Sequence, residues 1–241
     1  MKAAIIGYGK MGKAIERFLL ERGHEVTAVI DAGEESKFES EAFRKADVAI
    51  EFTNPSSAAR NIMLSVKAGV PVVCGSTGWY GSKKEVDEYV LAHDSALLAA
   101  TNFSIGVNVM MELNRRLAAM MSRLPQYTPS LSETHHIHKL DHPSGTAITL
   151  LEQMMEENPD YKAWSEEAEG DGIIPVSCER RGEVPGIHTV TWTSAVDSIS
   201  ITHDARSRDG FALGAVMAAE WLAGRHGIFT ITEMLHSLNI L

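Results

Sequence analysis

The chain has 241 residues, 44% of them apolar and 22% charged, with a formal net charge of -10 at pH 7, the make-up of a soluble globular protein with one large domain or two small ones. That charge excludes a general binder of nucleic acid or acidic membranes, because neutralising phosphate needs clustered Lys and Arg. No stretch stays apolar over the roughly 18 residues that a bilayer span needs. The first residues enter a strand pattern with no signal-peptide features, so a cytoplasmic protein is expected.

Short β-rich runs alternate with helical patterns over the first hundred residues, as in βαβ units on a parallel sheet. Strands are predicted at Lys2–Ile6, Glu25–Ile30, Val48–Glu51, Val70–Cys74 and Ala96–Ala100, all apolar enough to be covered on both faces. Helices are predicted at Gly12–Arg22, Ser57–Ala68 and Ser82–Asp94. The pattern then changes to a long helix, Val107–Arg123, whose methionines recur at core spacing. A strand Ser130–His138, a helix Gly145–Glu157, an acidic loop from Glu166 to Gly172, and strands Ile173–Arg180, Thr189–Ser194 and Ser198–Ala205 follow. Consecutive strands imply a second, mixed or antiparallel sheet. A last helix, Phe211–Ala223, is placed to return to the first domain. The expected fold class is α/β, a Rossmann-like doubly wound parallel sheet plus a second α+β domain with a mixed sheet. Residues 1–103, completed by 209–241, form the first domain and residues 104–208 the second. Cys74 and Cys178 lack a CxxC spacing and read as small buried thiols.

Gly7-Tyr8-Gly9-Lys10-Met11-Gly12 directly follows the first strand and opens the first helix, the placement that gives G-x-G-x-x-G its meaning. Gly7 permits a tight turn, Gly9 lets backbone approach a pyrophosphate, and Gly12 lets helix and strand close up. The free amides of the helix start then hold the anion. Asp31 ends the second strand roughly 20 residues further on, where an acidic side chain accepts from the adenosine ribose hydroxyls. The acidic Asp31 favours NADH, while Lys10, Lys37 and Arg44 offer charge for a 2'-phosphate, so NADH and NADPH are both admitted. Gly75-Ser76-Thr77-Gly78 and Ala100-Thr101-Asn102-Phe103 lie at two further strand ends, where ligands collect in open α/β sheets.

The other unusual cluster is Glu133-Thr134-His135-His136-Ile137-His138-Lys139, followed by Asp141-His142-Pro143-Ser144-Gly145-Thr146. If the strand runs to His138, His135 and His136 face opposite ways. A metal set of His136, His138, His142 and Asp141 is one reading, but it has no partnering Cys and no familiar zinc spacing, so no metal is expected; a purely structural strand is a second. The third is an anion-binding acid-base site. Ser144 caps the following helix, yet the N3 position is Ala147 rather than Glu or Gln, so no capping-box carboxylate competes for the amides. That helix start is expected to hold a substrate carboxylate, with Lys139 as a cationic anchor and a protonated histidine as proton donor.

These motifs, together with Glu51-Phe52-Thr53 and the run Ala100 to Asn108, resemble the dihydrodipicolinate reductase family over essentially the whole chain, residues 157–185 least. The resemblance implies NAD(P)H-dependent reduction of a cyclic dicarboxylate in diaminopimelate and lysine biosynthesis, by a homotetramer. It implies His135 as general acid and Lys139 as second proton donor or charge stabiliser, with His136, Gly145 and Thr146 on the substrate's carboxylates. It also implies nucleotide binding by Gly7 to Gly12, by Gly75, Ser76 and Thr77, and by Ala100, Thr101, Asn102 and Phe103. Closure about Asn102–Ser104 and Ser207–Gly210 is expected. Many members carry a longer first glycine turn, and many a basic residue after the second strand where this chain has Asp31-Ala32. Two other classes remain: a related two-domain dehydrogenase, such as one for aspartate or a 3-hydroxy acid, and a non-catalytic nucleotide-sensing regulator. Neither has a use for the residues from His135 to Thr146.

Overall fold

Ala3, Ala4, Ile5 and Ile6 are all essentially buried, because the strand they form is covered on both faces, as the uninterrupted apolar run requires. The computed structural model describes residues 1–168 and 170–241; Glu169 of the acidic loop lies outside the described residues. In chain order the elements are β1 (Lys2–Ile6), α1 (Lys10–Glu21), β2 (Glu25–Ile30), α2 (Glu41–Arg44), β3 (Val48–Glu51), α3 (Pro55–Lys67), β4 (Val72–Cys74), α4 (Lys83–Ala92), β5 (Ala96–Ala99), α5 (Ile105–Met121), β6 (Thr128–His135), α6 (Gly145–Glu157), β7 (Ala163–Ser165), β8 (Ile173–Arg180), β9 (Gly186–Thr193), β10 (Ser198–Ala205), α7 (Asp209–Leu222), β11 (Gly227–Phe229) and α8 (Ile231–Ser237). They form two compact units, Met1–Ile105 with Asp209–Leu241, and Gly106–Arg208.

In the first unit six parallel strands run in the order β11-β5-β4-β3-β1-β2. The order reverses between β1 and β3, which opens a crevice at their C-terminal ends. α7 packs on α1 and on β3, β4 and β5. Its small residues permit close approach: a Cβ on Gly214 would lie 1.8 Å from the Phe103 carbonyl oxygen. The sequence pattern missed α2, β7, β11 and α8. β11 is three residues long and exists through its pairing with β5, whereas α8 carries a capping box between Thr230 and Glu233 that local reading had the means to find.

In the second unit the order is β10-β9-β6-β8-β7, with β6 antiparallel to β9 and parallel to β8. Leu131, Val190, Trp192, Ile174 and Val176 of this sheet pack against α5 and α6, including Met110 and Met121, with Met111 partly buried against them, whereas Met120 of the same helix is exposed. Trp192 is fully buried. Cys74 is buried and Cys178 half-buried, and both are free thiols.

β6 ends at His135 rather than at His138. The His135 carbonyl still accepts from Arg181 N at 2.8 Å, but Ile137 N turns to Gly182 O and Lys139 N to His136 O. His136 and His138 therefore sit in a turn, and the expected strand alternation does not apply to them.

Candidate functional site

The glycine turn after β1 is shaped as its spacing demands. Gly7 has φ +91°, and a Cβ there would lie 2.2 Å from the Phe52 carbonyl oxygen. A Cβ on Gly12 would lie 2.1 Å from the Gly7 carbonyl oxygen, while one on Gly9 would meet nothing within 4 Å. Gly7 and Gly12 are thus filled by protein, and Gly9 faces open space. α1 starts from Gly9 with no side chain capping it, so its first amides are available to an anion. The adjoining cavity of about 340 Å³ is lined by Gly7, Tyr8, Gly9, Asp31, Phe52 and Thr53 among others. The donor set and the opening fit a dinucleotide. Gly12→Ala should destabilise the fold by about 1–3 kcal/mol and weaken nucleotide binding tenfold or more, as measured by NADH fluorescence titration and denaturant unfolding.

Asp31 is exposed at the edge of that cavity. Its backbone N–H donates to Glu34 at 3.0 Å, and Glu34 is paired with Lys37 at 2.7 Å. Lys10 and Met11 begin α1. Ser76 is buried and its hydroxyl accepts from Thr53 N at 2.8 Å, while Thr77 is exposed. Ala100 and Phe103 are buried in the core of the first unit, which leaves only their backbone to face a ligand. Glu51, fully buried, accepts from the Thr53 hydroxyl and from Cys74 Sγ at 3.1 Å, and so supports the β3 end of the crevice.

In the second unit Leu131, Glu133 and His135 point to the same face of β6, and the apolar core gives way there to ionisable groups. Glu133 stands opposite His188 of β9 and beside Cys178 of β8. Its two oxygens each accept from Ser144 N at 3.2 Å, and one accepts from Arg180 at 3.2 Å. Burial works to raise its pKa, but His188, Ser144 and His135 together hold the carboxyl well below the usual carboxylate range. His135 moves the opposite way. Burial pushes it down to about 4, against the pull of Glu133, and His188, Lys139 and Arg180 act in the same direction as burial.

Ser144 closes the site. Its hydroxyl caps α6 by accepting from Ala147 N at 3.2 Å and lies 3.0 Å from His188 Nε2. A Cβ on Gly145 would meet nothing within 4 Å, so the start of α6 is open to a ligand. Lys139 pairs with Asp141 at 2.9 Å. His136 keeps a buried Nδ1 with no partner among the described residues. Thr146 follows Gly145 in the first turn of α6. His138 faces Glu183 at 3.4 Å and His142 faces Glu166 at 3.7 Å, and among the described residues His136, His138, His142 and Asp141 do not gather as a metal set.

Sequence reading missed His188 and Arg180. The strand predicted from Thr189 begins at Gly186, and its inward positions are Gly186, His188, Val190 and Trp192. A polar residue on the inward phase of an alternating run was the available signal. Arg180 had none: besides Glu133 it donates to the carbonyls of Lys139 at 3.3 Å and Asp141 at 2.6 Å, tying the loop down from a neighbouring strand.

Models of the dihydrodipicolinate reductase N-terminus and C-terminus match residues 1–103 and 106–235. The chain belongs to the dihydrodipicolinate reductase family. Within the family it is 44% identical to the 4-hydroxy-tetrahydrodipicolinate reductase of Christiangramia forsetii, over 99% of each chain. It is 34% identical to the enzyme of the same name from Natronomonas pharaonis, over 93% of this chain and 96% of that one. The fold is shared with a dipicolinate-bound dihydrodipicolinate reductase from Paenisporosarcina sp. TG-14, at a TM-score of 0.79 and 21% identity, covering 95% of this chain and 97% of that one. A DAP dehydrogenase of C. glutamicum shares it at a TM-score of 0.54 and 12% identity, over 97% and 93% of the two chains.

Proposed function

We propose that the chain catalyses the reaction its relatives are named for: NAD(P)H-dependent reduction of 4-hydroxy-tetrahydrodipicolinate to tetrahydrodipicolinate, on the route to diaminopimelate and lysine, with His135 as general acid. The observation that carries the donor assignment is a histidine held against a buried carboxylate at the end of β6, while that carboxylate also holds Ser144, the N-cap of an open helix start.

Loss of water carries off the 4-hydroxyl and leaves a conjugated ring, to which the reduced nicotinamide, when bound, would supply a hydride. The protein's part is to place the dicarboxylate and to deliver a proton to the carbon that gains negative charge. His136, Gly145 and Thr146 bind the carboxylates, and Lys139 balances the dianion and the developing charge. Without substrate His135 is neutral at pH 7, since its pKa lies near 4. Two carboxylates arriving beside it favour the imidazolium, so the ligand charges its own proton donor.

The turn from Gly7 to Gly12 and the ends of β4 and β5, including Gly75, Ser76, Thr77 and Ala100 through Phe103, form the nucleotide site. Asp31 with Glu34 beside it makes that rim acidic, which opposes a 2'-phosphate and favours NADH. A cytoplasmic homotetramer is proposed from the family resemblance, and light scattering gives its mass. The described residues contain no helix long and apolar enough to cross a membrane.

The test is substrate-dependent oxidation of NADH and NADPH, with the dicarboxylate generated in place by its synthase. Wild-type turnover, higher kcat/KM with NADH, and a loss of about 10²-fold or more in Lys139→Ala are expected, the charge it supplies acting as an oxyanion-type stabiliser. Tight coenzyme binding with no turnover would favour a nucleotide-sensing regulator instead.

A further inference from the structure

Glu133 stands between two imidazoles. Its Oε2 lies 3.6 Å from His135 Nδ1 and 3.5 Å from His188 Nε2, and the two rings meet edge to face with centroids 5.0 Å apart. All three side chains are buried. We infer that Glu133 and His188 are positioning residues that set the protonation of His135: one buried carboxylate serves two histidines, Glu133 favouring a proton on His135 and a proton on His188 opposing it. The inference rests on His135 being the proton donor, and goes beyond it by saying what charges that donor.

The geometry also assigns the atoms. Nδ1 of His135 is the nitrogen turned to Glu133. On the other side, a Cβ on Gly186 would lie 3.0 Å from His135 Nε2, and the missing side chain leaves that nitrogen clear. Nε2 is therefore the atom assigned to give up its proton, while Nδ1, 3.6 Å from the carboxylate and beyond hydrogen-bond distance of it, feels Glu133 as a nearby charge that stabilises the imidazolium.

The groups that act on His135 come from four elements. Glu133 is on β6 itself, Lys139 follows it in the turn and is paired with Asp141, Arg180 is on β8, and His188 is on β9, while Cys178 of β8 stands beside Glu133 rather than His135. His203 of β10 stands opposite His188 in register. His203 is lowered by burial first and by His188 second. Apart from Glu133, the charges acting on His135 are cationic, so the state of this carboxylate and of the imidazole sharing it decides whether the donor can charge. A merely structural carboxylate, there to hold Ser144 N and Arg180, has no need of the second imidazole.

The experiment is an NMR titration of the full chain with isotopically labelled histidine rings, in wild type, Glu133→Gln and His188→Gln, paired with the pH dependence of single-turnover hydride transfer. Opposite displacements of the His135 midpoint are expected: down by about 1–3 pH units in Glu133→Gln and up by about one in His188→Gln, the size of effect of one nearby charge. A midpoint that stays put in both variants, or moves the same way in both, overturns the inference. Because Glu133→Gln also disturbs the Ser144 and Arg180 contacts and can fail to fold, His188→Gln, which leaves Glu133 in place, is sufficient alone: no upward shift overturns the competition. If the midpoint moves as expected while the hydride-transfer profile does not follow it, the coupling stands and His135 is removed as the donor.

Discussion

His135→Gln is expected to lower the rate of substrate reduction by about 10²–10⁴-fold, the range a positioned general acid supplies, while nucleotide binding stays at its wild-type strength. Gln fills similar space and can hydrogen-bond, but it has no proton to give at the rate of turnover. The loss should fall on kcat and kcat/KM together, because the proton is needed only in the transition state. The same substitution changes how stability depends on pH. In the folded protein His135 is lowered from 6.5 to about 4, so the neutral ring is the native form. Below pH 6.5 the unfolded chain takes up a proton that the folded protein refuses until about pH 4, and stability is lost progressively through that window. At 1.36 kcal/mol per pKa unit the loss is about 3 kcal/mol. His203, lowered by burial and by His188, contributes in the same direction. Denaturant unfolding of His135→Gln between pH 6.5 and 4.5 should therefore show a flatter slope than wild type. An equal slope together with undiminished turnover would remove His135 from the site.

Arg180→Ala should cost about 3 kcal/mol of stability, the lower end of what breaking a buried ion pair costs. Glu133 has no exposed side-chain surface and Arg180 has 13%, so removing the guanidinium leaves a carboxylate where water does not reach it. The cost stays at the lower end because Ser144 N still donates to both oxygens. A second effect is independent of charge. Arg180 holds the carbonyls of Lys139 and Asp141, and without it the Lys139 loop loses its anchor, so KM for the dicarboxylate should rise more than kcat falls. Arg180→Lys separates the two effects: it keeps a cation beside Glu133 but not the planar fork that reaches two carbonyls and a carboxylate at once. Partial recovery of stability with KM still raised is the expected outcome. Recovery of both by Lys would mean that the loop is held by something else.

Local pattern was enough wherever the physics is local. β1, β2, β3, β8 and β10 and helix α6 fall on the residues predicted for them, because burial on both faces demands continuous apolar runs and caps such as Ser144 act within one turn. The tight turn at Gly7 to Gly12 was legible for the same reason: its steric requirement lies within six residues of chain. What lay beyond reach depends on register. β11 is a strand only because β5 is beside it. β6 stops at His135 because the next amides turn to Gly182 and to His136, which no alternation of side chains encodes. Glu133, Arg180 and His188 meet because β8 and β9, neighbours in the chain but far along it from β6, pair on either side of β6. The sequence by itself determined the two sheets, the glycine turn and the residue types of the acid site. Only the tertiary structure decided which charges surround His135, because the propensities that shape a strand act over a few residues, whereas the electrostatics of a buried histidine are set by whatever the fold brings within a few ångströms of it.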